Sequence, residues 1–169
     1  MKSKSTRTSS STRAMTRGAL IAALYVGLSY VSTIFGLSSG AIQFRISEML
    51  CILPVFFPEA VGGLFIGCML SNIISGCVLW DIIIGSLATL IGAIGARLLS
   101  GLPAKHRWLA TLPNFISNAT IVPLVLIYAY GVTDGYLVLM ISVGIGEAVC
   151  GVIGGTALAY SLPKLKIKY

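Results

Sequence analysis

Charge is nearly absent from long stretches of this chain. Between Arg17 and Arg45, between Glu59 and Asp81, and between Arg107 and Asp134 there is no Asp, Glu, Lys or Arg, and apolar residues fill the gaps. A helix needs roughly 20 apolar residues to cross a hydrocarbon core of about 30 Å, and each gap is long enough. Only 10% of the 169 residues are charged, whereas ordinary soluble domains hold about 25%. The chain therefore reads as an all-α, polytopic membrane protein built as one domain.

About six transmembrane helices are expected: near residues 14–35, a shorter one near 46–57, then 59–76, 81–99, 107–130 and 135–161. Gly, Pro and Asp punctuate the breaks at GLSSG, FFPE, SGCVLWD, SGLPAKH and YGVTDG. Pro58 leaves open a re-entrant turn in place of two full crossings by the second and third spans. The expected organisation is a basic tail over 1–13, a membrane domain over 14–161 and a second basic tail over 162–169.

The formal net charge is +7, and much of that excess lies in the acid-free opening MKSKSTRTSSSTRAMTR. Transit peptides share this composition, but a solvated cytoplasmic tail is the plainer reading. An even number of crossings puts this tail, the segment with Arg97, Lys105 and Arg107, and the C-terminal PKLKIKY on one side. The positive-inside rule makes that side the cytoplasm, with both termini there. Nucleic acid is not an expected partner, because the cations flank spans and do not line a folded aromatic surface. The first apolar run is too long for a signal peptide's core. Asn118-Ala119-Thr120 fits the glycosylation pattern but lies inside a span.

Ionisable residues inside spans are costly and are functional candidates by default. Glu147, about 12 residues from the outer end of its helix, lies about 18 Å deep, near the midplane. Asn118 reaches a similar depth. Asn72 lies one turn below the outer end of the third span, Asp81 begins the fourth, and Glu48 sits just under the outer mouth of the second. Together they outline a pocket open to the outside. Alternatives stand for each: Asp81 as a helix cap, Asn72 and Asn118 as interhelical hydrogen-bonding groups, Arg45 and Glu48 as a surface ion pair, and Trp80 as an interfacial anchor in place of a stacking platform. Glu59, at the predicted inner turn, is expected to face water.

Chemistry of other kinds has little support. GLSSG fits G-x-S-x-G, yet no strand-turn-helix or nearby His accompanies it, so Ser38 and Ser39 read as loop residues. No Walker A sequence is present. Cys51, Cys68, Cys77 and Cys150 form no C-x-x-C pair, and with the lone His106 they make no zinc set, so they read as small apolar filler. Neither metal nor cofactor is expected, and the chain is not read as an enzyme. Small residues recur four apart at Gly18 and Ala22, at Ala19 and Ala23, at Gly63, Gly67 and Ser71, and at Gly151 and Gly155. Such faces allow close helix approach. Internal packing suits the third and sixth spans, while the first suits internal packing and an external partner equally.

The run IQFRISEMLCILPVFFPEAVGGLFIGCMLSNIISG followed by WDIIIGSLATLIGAIGARLL resembles the queuosine-precursor branch of the substrate-binding subunits (S-components) of energy-coupling factor (ECF) transporters. The resemblance covers roughly residues 15–160, and its elements are R-I-S-E, P-E-A-x-x-G-L-F-x-G-C and D-I-x-x-G-S-L-A-T-L. AVGGLF departs from it by lacking a proline near the start of the third helix.

The resemblance implies a six-helix subunit of a bacterial cell membrane that captures a scarce micronutrient from outside. Its implied partners are a shared transmembrane T-component and two ATPase subunits. The small residues of the first helix, Ala19 and Ala23 flanked by Gly18 and Ala22, would contact the T-component. The implied ligand is a 7-deazaguanine: the aminomethyl or cyano precursor, or queuine. In that setting Glu147 would take the guanine edge, and Asn118 a carbonyl or ring nitrogen. Asp81 or Glu48 would hold the aminomethyl cation. Arg45 would pair with Glu48 or close over the ligand, and Asn72 and Trp80 complete the expected site. Other readings are an S-component for another vitamin or an autonomous small carrier, although no internal repeat is evident.

Overall fold

Apolar runs in lipid must satisfy their backbone groups internally, and this chain does so with helices. A computed structural model describes residues 3–37 and 43–165, with side chains over 11–37 and 43–163, and every regular element among them is helical. Helix α1 spans Ser3–Ile34, a 3₁₀ helix spans Ile46–Val55, and α2 spans Ala60–Ile74. Helices α3, α4 and α5 span Asp81–Gly101, Ala104–Tyr130 and Tyr136–Ser161. Ser38, Ser39 and the last four residues of the chain lie outside the described residues.

Apart from the start of α1, the expected boundaries hold to within a few residues, but the six helices are not equal. Four, α1, α3, α4 and α5, are long and apolar enough to cross a membrane. Helix α2 has 15 residues and the 3₁₀ helix has 10. At about 1.5 and 2.0 Å per residue they cover roughly 20 Å each, short of a core of about 30 Å. Helix α1 starts earlier than expected and runs unbroken from the basic segment into the apolar one, because no Gly or Pro interrupts the sequence before Gly18.

The 3₁₀ helix is short because it begins deep in the bundle. Residues 43–45 precede it without helical structure, with Arg45 extended at φ −102 and ψ 100. The Gln43 carbonyl occupies the space where Gly146 of α5 would carry a Cβ, so only glycine fits there. The Phe44 N–H donates to Leu37 O at 2.8 Å, and the Ile46 N–H to the Ser32 hydroxyl at 3.0 Å. Non-helical backbone at this depth is tolerated only inside protein or along a cavity.

At the other end of the 3₁₀ helix, Arg97 Nη1 donates to Pro54 O at 3.3 Å, and Arg107 lies 5.3 Å from the Phe56 ring centroid. Arg17 stands 3.5 Å from Glu59 and over the Phe57 ring. Glu59 is therefore paired where it was expected to face water. Arg17, Arg97, Lys105 and Arg107 all gather at this end of the bundle, with Tyr160 Oη donating to Lys105 O at 3.0 Å.

The distribution of polarity is inverted relative to a soluble protein. Leu20, Leu24, Ile91, Leu137, Ile141 and Ile153 are exposed, whereas Ser47, Glu48, Thr89, Asn114, Asn118 and Glu147 are buried. Apolar packing survives around Tyr25, Leu50, Leu53, Leu64 and Ala93. Helices α1 and α2 approach very closely: a Cβ at Gly63 would lie 2.6 Å from Gly18 O, and one at Gly67 would lie 3.0 Å from Ala22 Cα. A Gly63→Leu substitution is expected to lower the thermal midpoint of the detergent-solubilised chain, since overpacking of this kind costs about 1–3 kcal/mol. Gly62→Leu, where a Cβ meets nothing within 4 Å, should leave the midpoint unchanged or raise it.

Candidate binding site

Burying a carboxylate requires several donors, and the helices deliver them to one point. Glu48, 2% exposed, enters from the first turn of the 3₁₀ helix. It accepts hydrogen bonds from Tyr25 Oη of α1, from Cys51 Sγ at 3.3 Å and from Asn114 Nδ2 at 3.0 Å. Asn118 Nδ2 lies 3.4 Å from it. Glu147, 7% exposed, projects from α5 immediately before a π-helical segment, Ala148–Gly154. It accepts from Asn118 Nδ2 at 2.9 Å and from Asn114 Nδ2 at 3.2 Å. Gly151, one turn on, makes room for it, since a Cβ there would come within 2.9 Å of Glu147 Oε2.

Asn114 and Asn118 sit one helical turn apart on α4, so both carboxamides face the carboxylates. Ser117 fixes that face by donating to Ala88 O of α3 at 2.9 Å. Asn114 Oδ1 packs on Gly92 and has no hydrogen-bond partner among the described residues. The result is two acids from different elements bridged by two amide groups, with a phenol and a thiol on the Glu48 side.

Beside the acids is a cavity of about 20 Å³, bordered by Gln43, Arg45, Thr89 and Asn118. That is room for roughly one water. A second chamber of about 210 Å³ is lined by Ser29, Thr33, Ser71, Asn72 and Cys77, again with Arg45 on its wall. Arg45 thus stands between a closed acidic centre and a larger hydroxyl-lined chamber. A groove of about 900 Å³ runs along the outer faces of α1 and α2, past Gly18, Ala19, Ala22 and Ala23.

Of the residues singled out from sequence, Glu48, Asn118 and Glu147 meet directly. Glu48 was expected at the outer mouth, and instead lies level with Glu147, because the extended segment 43–45 carries the start of its helix inward. The expected Arg45–Glu48 pair is not formed: among the described residues no cation lies within 4 Å of either acid. Asn72 borders the chamber and donates to Asp81 O at 3.3 Å. Asp81 accepts the Tyr130 hydroxyl at 2.9 Å and ties α3 to the end of α4. Trp80 is 62% exposed, in a recess on the outer surface beside Ile84 and Tyr128, and does not reach the acids.

Four contributors were not foreseen. Asn114 carries a usable signal, its i, i+4 spacing from Asn118. Tyr25 carries none, since its role depends on which helix packs against it. Cys51 and Cys68 are more than filler: Cys51 donates to Glu48, and Cys68 Sγ accepts from Thr89 Oγ1 at 3.3 Å. The four small residues of α1 divide into two faces. Ala22 is buried and Gly18 is half-buried, both against α2, while Ala19 and Ala23 are exposed.

Comparison with known proteins adds a family. The QueT transporter family model matches residues 15–164. Queuosine precursor transporter QueT of Lactococcus lactis subsp. cremoris (strain MG1363) is 38% identical over 92 residues. That stretch covers 53% of each protein, so the chain spans about half the length of this curated relative. No solved structure matches.

Removing the bridging amide tests the network directly. Asn114→Ala is expected to lower unfolding stability by about 1–3 kcal/mol, because both acids lose a buried donor. Thr120→Ala, on the exposed side of α4, should change it by less than about 0.5 kcal/mol. Denaturant unfolding of the two variants in the same detergent checks both.

Proposed function

The chain belongs to the QueT transporter family, and from that premise we propose that this multi-pass membrane protein captures a queuosine precursor for import. The ligand is a 7-deazaguanine: the aminomethyl or cyano form, or queuine. The observation that carries this reading is the buried pair of acids bridged by Asn114 and Asn118. The guanine edge offers two adjacent donors, N1–H and the amino group, which suit a carboxylate, while its carbonyl accepts from an amide. Hydrogen bonds with one ionised partner are the strong class. Glu147 takes the guanine edge and Asn118 the carbonyl, with Glu48 placed for a cationic substituent.

The acidic centre, at about 20 Å³, is closed to a bicyclic base, and the chamber of about 210 Å³ adjoins it at Arg45. In this reading the ligand arrives through the chamber, and Arg45 with residues 43–45 moves to admit it. The chamber, bordered by Asn72, opens toward the outside of the cell. The cation-rich end, with both termini, is cytoplasmic, as the positive-inside rule requires.

The subunit works as an S-component of an ECF transporter, with a T-component and two ATPase subunits supplying ATP hydrolysis. The outer groove on α1 supports that assignment. Gly18 and Ala22 already serve contact with α2, and Ala19 and Ala23 remain exposed along an apolar groove of about 900 Å³.

Two measurements test the proposal. Glu147→Ala should abolish binding of 7-deazaguanines in calorimetry on the purified chain, since hydrogen bonds to a charged group are worth about 1.5–3 kcal/mol each. Affinity near that of the wild type would remove Glu147 from the site. Ala23→Leu should lose co-purification of the integral partner and ATPases while calorimetric binding stays as in wild type. Ion-gradient-driven uptake by the chain alone in liposomes would instead identify an autonomous carrier.

A further inference from the structure

We propose that the chamber between α1, α2 and Arg45 is the subsite for a hydroxyl-bearing substituent of the ligand, with Ser71 and Asn72 as its specificity-determining residues. A 7-deazaguanine whose aminomethyl group carries a cyclopentenediol, as in queuine, is then favoured over one carrying the same ring without hydroxyls. The inference rests on the ligand class proposed above.

The chamber lies where α1 and α2 stop touching. Around Gly63 and Gly67 the two helices are too close to admit a Cβ, but beyond them they leave a space of about 210 Å³. Ser29 and Thr33 line it from α1, and Ser71 and Ser75 from α2 and its cap. Each pair is spaced i, i+4, so each helix turns a row of hydroxyls to the same space. Polar groups screened from water are costly unless they are partnered. On α1 the donors are used: Ser29 Oγ donates to Ser47 Oγ at 2.7 Å and Thr33 Oγ1 to Ser29 O at 3.1 Å. On α2 they are not. Ser71 is 6% exposed, and its hydroxyl makes no hydrogen bond among the described residues. Asn72 is 3% exposed and donates its amide N–H groups to Asp81 O at 3.3 Å and Cys68 Sγ at 3.9 Å. Its carbonyl oxygen is left without a partner among the described residues.

These groups select a ligand chemistry. The Ser71 hydroxyl gives and accepts, the Asn72 carbonyl only accepts, and the Arg45 guanidinium only donates. An anion would meet the Asn72 lone pairs, and Asp81 and Glu48 already act on the Arg45 charge without pairing with it within 4 Å. An ammonium group would meet Arg45. A neutral group that both donates and accepts satisfies all three, and a hydroxyl is such a group. A five-membered ring with two hydroxyls has about seven heavy atoms, and at no more than a water's share of about 30 Å³ apiece it fits the chamber. Arg45 borders both this chamber and the cavity beside Glu48 and Glu147. A base held at the acids therefore extends its 7-substituent past Arg45 into the chamber, leaving the linking amine on the Glu48 side.

The test is calorimetry on the full chain in detergent with queuine, its ring-dideoxy analogue and the aminomethyl form. Wild-type protein should bind queuine about tenfold or more tighter than the dideoxy analogue, because the analogue leaves buried polar groups unpaired. Ser71→Ala should weaken queuine about threefold to tenfold and narrow that preference. Ser75→Leu, which intrudes from the exposed rim of the chamber, should shift preference from queuine toward the aminomethyl form. The wild-type ligand comparison stands even where a variant folds poorly. Equal affinity for queuine and its dideoxy analogue would overturn the subsite and leave the ligand class intact. So would variants that weaken all three ligands in step, or that leave the queuine Kd unmoved. Failure of every 7-deazaguanine to bind would overturn the functional reading, and this inference with it.

Discussion

A carboxylate at the centre of an apolar bundle has no water to turn to, so the protein must provide its donors. Asn114 and Asn118 do this for Glu48 and Glu147 at once. Much of the surrounding architecture follows from that requirement. Helix α4 must present one face to two different elements, so Ser117 locks it against α3. Helix α5 must come close enough to hand over Glu147, so Gly146 and Gly151 leave out the side chains that would block the Gln43 carbonyl and the carboxylate. Breaking a buried charged network by removing one member costs more than the network contributes intact, because the abandoned group stays buried.

The 3₁₀ helix is the second consequence. A full crossing helix at this position would have put Glu48 near the surface. Replacing its outer half with extended chain sinks the acid to the level of Glu147 and frees Arg45 to border both cavities. Two N–H groups at this stretch and its junction with the helix, those of Phe44 and Ile46, are held by Leu37 O and the Ser32 hydroxyl, which helps non-helical chain persist at such depth.

These features differ in how far the sequence announces them. Glu147 and Asn118 could be matched in depth by counting rise per residue along regular helices, and their 2.9 Å contact agrees with that count. The same counting misplaces Glu48, since it assumes that a helix begins where the apolar run meets the membrane edge. Asn114 was legible through helical spacing. Tyr25 was not, because a tyrosine in an apolar helix looks the same whether it points at lipid or at an acid. The stripes at Gly18 and Ala22 and at Gly63 and Gly67 were both visible, but sequence does not state that they face each other. Family membership reaches most of the chain, whereas the arrangement of the acids comes from packing alone.

Helix α1 carries two sets of residues that face different worlds. Ala19 and Ala23 point outward into the long groove, and Tyr25, less than one turn beyond Ala23, ends in a hydroxyl resting on Glu48. Were another helix to seat in that groove, α1, tethered to the acid on its other side, would act as a lever. Any tilt imposed by a neighbouring helix is felt at Glu48 without passing through an intervening element.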